Sequence, residues 1–207
     1  LVSITAWDAL IRGANIKEGE SVLVHGGAGG VGHLAIQLAK MKGAKVFSTV
    51  SSEKKAEIVK GYGATPINYR NFSVSQYVEE HTDQRGFDVV FDTVGGDNLM
   101  RSFEAAKLEG RVTSVNTRIT CDLSILHQKA LSLHVVFMII PILYNQDKGK
   151  VLHGEILKEI VNGVEKEAIT PLIHEEIFPF ERIAEAHSLL ESGKATGKIV
   201  LRGFGIE

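Results

Sequence analysis

Cys121 is the only cysteine in this 207-residue chain. One thiol closes no internal disulfide and builds no cysteine metal cluster, which suits a reducing cytoplasm. Neither sign of charge is in excess: 23 Lys and Arg stand against 25 Asp and Glu, for a formal net charge of −2 and a pI near 6.5. That balance removes the electrostatic reason to expect a nucleic-acid partner. No apolar run reaches bilayer length. The most apolar, Val135 to Leu143, contains Pro141 and reads as a core or interface strand, so no membrane partner is expected. Internal repeats, low-complexity segments and an obvious linker are missing as well. No signal-peptide pattern is visible, and a chain that opens on Leu1 says nothing of its natural start. What remains is 44% hydrophobic and 23% charged, enough to bury the core of a soluble globular protein of one domain or one and a half.

The stretch that organises the chain is Ser21 to Lys42, SVLVHGGAGGVGHLAIQLAKMK. Val22-Leu23-Val24 reads as a buried strand, and Leu34, Ile36, Leu38 and Met41 recur at helix-like spacing. Between them Gly27, Gly29 and Gly32 satisfy G-x-G-x-x-G at a strand-to-helix junction, where the pattern has a mechanism. The first glycine permits the tight turn, the second admits a pyrophosphate, and the third lets helix and strand pack closely. The amides of Gly29, Gly30 and Val31 are expected to point, with the positive end of the helix dipole, at that anion.

Helix-like Leu1 to Asn15 precedes this unit. Strands are predicted at 45–50, 64–69, 87–92, 111–115 and 133–140, with helices from Ser51 or Ser52, over 73–81 and from Asp97 to about Lys107. Strands alternating with helices at this rhythm predict an α/β fold, a doubly wound parallel sheet of six strands covered on both faces. After Asp147 the pattern becomes helix to Val164, strand 170–177, helix 180–191 and strand 198–202. This tail reads as part of another sheet. The domain expectation is a dinucleotide-binding unit over 1–166 and a second unit over 167–207.

An NAD site usually has Asp or Glu at the end of its second strand, to hold the ribose 2′-hydroxyl. Thr49-Val50-Ser51-Ser52 stands there instead, followed by Lys54 and Lys55, with Tyr69 and Arg70 at the end of the third strand. Absence of the acid together with presence of base favours NADP over NAD, since lysine is a common point-charge partner for phosphate.

These phrases resemble zinc-independent quinone oxidoreductases of the medium-chain dehydrogenase/reductase superfamily, the zeta-crystallin type. The resemblance is carried by LVSITAWDALIRGANIKEGESVLVHGGAGGVGHLAIQLAK, GAKVFSTVSSEKKAEIVKGYGA, INYR, FDVVFDTVGG, GRVTSVN and HSLLESGKATGKIVL, in the family's order along nearly the whole chain. It implies a nucleotide-binding domain plus the C-terminal strands of a split GroES-like catalytic domain, the rest of which would precede Leu1. It implies that Gly29, Gly30 and Val31 bind pyrophosphate, and that Ser51, Lys55 and Tyr69 hold the 2′-phosphate of NADP(H), with Lys194 nearby. Thr5 would face the nicotinamide. Asp92, Val94 and Asn116 would lie over the ribose and nicotinamide, though Asp92 and Asn116 read equally well as strand-end turn formers.

Relatives with catalytic zinc carry a cysteine four residues before the equivalent of Thr5, where this chain has Leu1. The eight histidines include no HExxH, so no metal is expected. The implied activity is hydride transfer from NADPH to a quinone or enone, with an enoyl or alkenal reductase, or an NADPH-binding module without turnover, as alternatives. No residue stands out as a general acid; Tyr62 and the histidines are unsupported candidates. The fragment alone is expected to bind cofactor but to turn over poorly. Relatives join subunits through the strand equivalent to 133–140, which implies a homodimer.

Overall fold

Val22, Leu23 and Val24 are wholly shielded from solvent in β1 (Ser21–His25), which lies at the middle of a six-stranded sheet. The computed structural model describes residues 1–203, so the last four positions of the 167–207 span lie outside the described residues. The other strands are β2 (Lys45–Val50), β3 (Thr65–Asn68), β4 (Phe87–Asp92), β5 (Ala106–Ser114) and β6 (Ser132–Val135). Their order is β3-β2-β1-β4-β5-β6 and every pairing is parallel. Strand order therefore reverses between β1 and β4, the crevice where such sheets bind ligands.

Helices cover both faces because parallel strands must be joined by crossovers. On one face Val22, Val24, Val89 and Phe91 pack with α1 (Val2–Trp7), α2 (Gly32–Met41), α3 (Glu53–Gly61) and α8 (Asp147–Glu165). On the other, Leu23, Val90 and Val112 meet Tyr77 of α4 (Val74–Thr82) and Leu99 and Phe103 of α5 (Asn98–Ala105). Phe87, Phe91 and Phe103 are fully buried, each contributing about 1.5–3 kcal/mol of transfer free energy. The predicted doubly wound α/β sheet is what the chain forms. The helical opening is also present, α1 running on into a π-helical stretch, Asp8–Gly13, closed by the Ala14 amide on the Ala9 carbonyl at 2.8 Å.

Two short helices went unforeseen, α6 (Ser124–Lys129) and α7 (Ile140–Leu143), and one of them corrects a strand. The expected strand 133–140 ends at Val135, because its partner β5 ends at Ser114, opposite it. The Val136 amide makes the last link, to the Ser114 carbonyl at 2.8 Å, and Val136 then drops into the core. Pro141 opens α7, where its missing N–H costs nothing. The free edge is thus four residues, Ser132–Val135.

The tail forms a separate parallel pair, β7 (Ile173–Pro179) and β8 (Lys198–Arg202), joined through α9 (Ile183–Glu191). It is tied to the large sheet by polar contacts. Gln37 Nε2 donates to the Thr170 carbonyl at 3.0 Å and the Thr170 amide returns a bond to Gln37 Oε1 at 2.7 Å. The Gly197 amide donates to the Ala28 carbonyl at 2.9 Å, making Gly29 and Gly197 bridge partners.

Candidate dinucleotide crevice

β2 fastens the turn that follows β1. The Gly26 amide donates to Thr49 Oγ1 at 3.2 Å and the Gly27 amide to Ser48 Oγ at 3.1 Å, while Ser48 Oγ donates to the Val24 carbonyl. There is no room for a side chain here. A Cβ at Gly27 would sit 2.0 Å from Ser48 Oγ, and one at Gly32 would sit 2.3 Å from the Gly26 carbonyl oxygen. Gly32 therefore lets α2 start directly against the end of the strand.

Among the described helices only α3 and α4 carry a side-chain cap, and α2 is one of those without. Ser52 caps α3 by accepting from the Lys55 amide, and Ser73 closes a capping box with Gln76 on α4. At α2 the N-cap is Val31, with no side-chain cap. One correction to the expected cradle follows. The Gly29 N–H is spent within the turn, donating to the Gly26 carbonyl at 2.9 Å. The Gly30 amide faces the Gly197 carbonyl across the bridge to Gly29, while the amides of Val31 and Gly32 have no acceptor among the described residues, and this pair, with the helix dipole behind it, is chemistry that suits an anion.

In front of the turn lies a crevice of about 1130 Å³. Of the residues singled out from sequence, Gly29, Gly30, Ser51, Lys55, Tyr69 and Val94 line it. Lys55 Nζ donates to the Gly193 carbonyl at 3.1 Å, which holds the ammonium at the rim. Lys54 is instead paired with Glu175 at 3.0 Å. Tyr69 and Val94 are about half exposed, at 47% and 57%. Lys194 is exposed between Gly193 and Ala195, both lining residues.

Gly27, Val31 and Gly32 belong to the turn but are not among the residues that line the crevice. Asp92 is fully buried, and its carboxylate is consumed by four donors. These are the amides of Val94 and Gly95 (both 3.0 Å), Asn98 Nδ2 (2.9 Å) and Ser114 Oγ (3.0 Å). Asp92 thus holds the turn after β4 and does not line the crevice. Asn116 abuts Gly95, where a Cβ would come within 2.6 Å of the Asn116 Cβ, and is likewise no lining residue. Thr5 is buried in α1, its hydroxyl donating to the Leu1 carbonyl at 3.1 Å. The sequence reading passed over Phe72, Asn98, Arg101 and Gly197, which also line the crevice. Asn98 and Arg101 lie at the start of the helix after β4, and that position was their only signal.

Two histidines border the glycine turn. Burial lowers the His25 imidazole to about 4, Asp92 offsetting part of this and Arg101 adding to it, so the ring is neutral at pH 7. Its Nδ1 lies 3.1 Å from Thr49 Oγ1. Burial also holds His33 below its usual value, against the pull of its bond to the Gly29 carbonyl, and the Lys198 ammonium lowers it further. Tyr62 packs 6.1 Å from the His33 ring and does not line this crevice.

Residues 62–201 match the family described as zinc-binding dehydrogenase. Over 203 residues the chain is 36% identical to a reducing polyketide synthase of Gibberella moniliformis, covering 96% of this chain and 8% of that protein. It resembles the quinone oxidoreductase of Escherichia coli, solved in complex with NADPH, at a TM-score of 0.86 and 30% identity, over 97% of this chain and 62% of that one. The CurK enoyl reductase gives a TM-score of 0.83 at 26% identity, over 98% and 60%. The chain therefore spans about three fifths of these solved chains and a small part of the synthase. The family's description names zinc; no three His, Cys, Asp or Glu converge among the described residues. Nor is any described helix long and apolar enough to cross a membrane.

Proposed function

This chain belongs to the zinc-binding dehydrogenase family, within the medium-chain dehydrogenases and reductases, and from that premise we propose that its crevice binds NADPH for zinc-independent hydride transfer to a quinone or conjugated carbonyl. The observation that carries this is the pairing of an uncapped helix start, at Val31 and Gly32, with a crevice rim of Ser51, Lys55 and Tyr69 that has no carboxylate at the end of β2. The open amides would hold the pyrophosphate. Ser51 and Lys55 would hold the 2′-phosphate beside Tyr69, with Lys194 adding positive charge and Val94 lying over the ribose and nicotinamide. NADPH, when bound, supplies the hydride, and the chain's part is to orient it and exclude water. Thr5 and Asn116 are assigned to the nicotinamide side on family resemblance alone, and Asp92 acts by fixing the turn that carries Val94. We assign no catalytic acid.

We divide the chain into a nucleotide-binding part, 1–166, and part of a catalytic domain, 167–207, in a cytoplasmic enzyme that pairs through the edge strand Ser132–Val135. Sedimentation showing only monomer at micromolar concentration would count against the dimer. A second reading, enoyl reduction, is favoured by the likeness to a reducing polyketide synthase and to an enoyl reductase. A panel of quinones and enoyl thioesters, assayed with NADPH, separates the two. Inactivity across the panel with cofactor binding intact would favour a binding module.

The decisive measurement is titration with NADPH and NADH, repeated on Lys55→Ala. NADPH is expected to bind more tightly, and loss of the charge-assisted contact to narrow that preference by about tenfold. Equal affinities in the parent protein would refute the specificity.

A further inference from the structure

We propose that His25 is a positioning residue of the crevice: its ring orients the Thr49 hydroxyl that holds the glycine turn, and its carbonyl holds the opposite lip. This rests on the dinucleotide reading above and adds to it a residue that acts through others.

The last residue of β1 stands where three segments meet. His25 is only 2% exposed, lines the crevice, and lies in register with Thr49 of β2. Thr49 Oγ1 is 3.1 Å from its Nδ1 and accepts the Gly26 amide at 3.2 Å. The Gly26 carbonyl in turn accepts the Gly29 amide at 2.9 Å. From the other side, Thr93 Oγ1 donates to the His25 carbonyl at 2.6 Å, which ties the turn bearing Val94 to the same residue. One ring and one carbonyl thus reach both lips of the crevice. There is little slack between them, since Gly26 has φ +69 and a Cβ there would sit 3.0 Å from Thr93 Oγ1.

Counting protons sets the direction of the ring's bond. Thr49 is buried, and among the described residues His25 Nδ1 is the one acceptor its hydroxyl proton meets. A proton on Nδ1 would leave that hydroxyl with nothing to donate to. The ring is neutral at pH 7 because burial holds it down to about 4, so it accepts at Nδ1 and carries its proton on Nε2. The resulting chain runs from the Gly26 N–H to Thr49 Oγ1, and from the Thr49 hydroxyl to Nδ1, each link strengthening the other. Nε2 is buried without a partner among the described residues, so Thr49 supplies the ring's one hydrogen bond.

Two measurements on the purified protein test this. Nitrogen-15 spectra of the histidine rings at pH 7 should show a ring with bare Nδ1 and protonated Nε2 that vanishes in His25→Phe. Dissociation constants for NADPH and NADH should rise together, about fivefold, in His25→Phe and in Thr49→Val, the scale of one lost hydrogen bond. The NADPH-to-NADH ratio should not move. The double variant should bind no more weakly than either single one, because both cut the same chain. His25→Asn, whose side-chain oxygen can still accept from Thr49, should keep most of the affinity. A residue that served stability alone would lower the thermal midpoint and leave the dissociation constants of the folded protein unchanged. That result overturns the assignment, as does additive loss in the double variant or the opposite tautomer, and each leaves the dinucleotide reading intact. Should His25→Phe not fold, Thr49→Val and His25→Asn decide: unchanged affinity in the first, or full loss in the second, overturns it. Failure of the parent protein to bind either dinucleotide overturns both readings.

Discussion

Strand β1 buries four of its five residues, whereas β7 buries one of seven, and the two strands belong to sheets that meet at the same crevice. The large sheet is covered on both faces, and its central strands β1 and β4 are buried along nearly their whole length. The small pair leaves Ile173 and Ile177 nearly half exposed and is joined to the large sheet chiefly through polar contacts, at Thr170, Glu175, Gly193 and Gly197. The difference assigns the two regions different work. Stability resides in the large sheet, and the small one completes a binding wall without holding up the fold.

The largest test of that division is a pair of truncations followed by urea unfolding. Phe103→Ala, in the fully buried face under α5, should cost about 3–5 kcal/mol. Ile177→Ala in β7 should cost under about 1 kcal/mol, in the range of an exposed substitution. Comparable losses would erase the distinction. Next comes Asp92→Ala, which strands four donors at the end of β4 and should cost about 3 kcal/mol. It should also weaken NADPH, because the Val94 turn loses its anchor.

A pH series sharpens the comparison further. The folded-state value of His25, about 4, lies below the ordinary 6.5, so its neutral burial stabilises fully above pH 6.5. That contribution is lost as the pH falls from 6.5 toward 4. Urea midpoints should drop across that window, and His25→Gln should flatten the drop; an unaltered slope would place the acid sensitivity elsewhere. The smallest effect is Gly154→Ala. Gly154 sits inside α8 with nothing within 4 Å of a new Cβ, so alanine should stabilise by about 0.5–1 kcal/mol, seen as a small rise in thermal midpoint.

The same contrast explains how much could be read in advance. The spans 45–50, 87–92 and 198–202 were legible to the residue, because apolar strand patterns bounded by turn residues are local signals. The strand 133–140 was read too long because its end is set by the length of β5, a tertiary fact that no local pattern encodes. Ser51 and Tyr69, just past strand ends, and Lys55, in the first turn of α3, were readable as polar residues there, and they line the crevice. Arg101 and Phe72 were not, since their place at the crevice depends on which strands become neighbours.

The bridge between Gly29 and Gly197 also has a temporal side. Those residues lie far apart in sequence, and closing so long a loop is slow relative to forming the local crossovers of the large sheet. During synthesis, α2 and its neighbouring strands exist well before β8 leaves the ribosome. The pocket therefore passes through a half-walled stage, closed once Gly197 and β8 have followed.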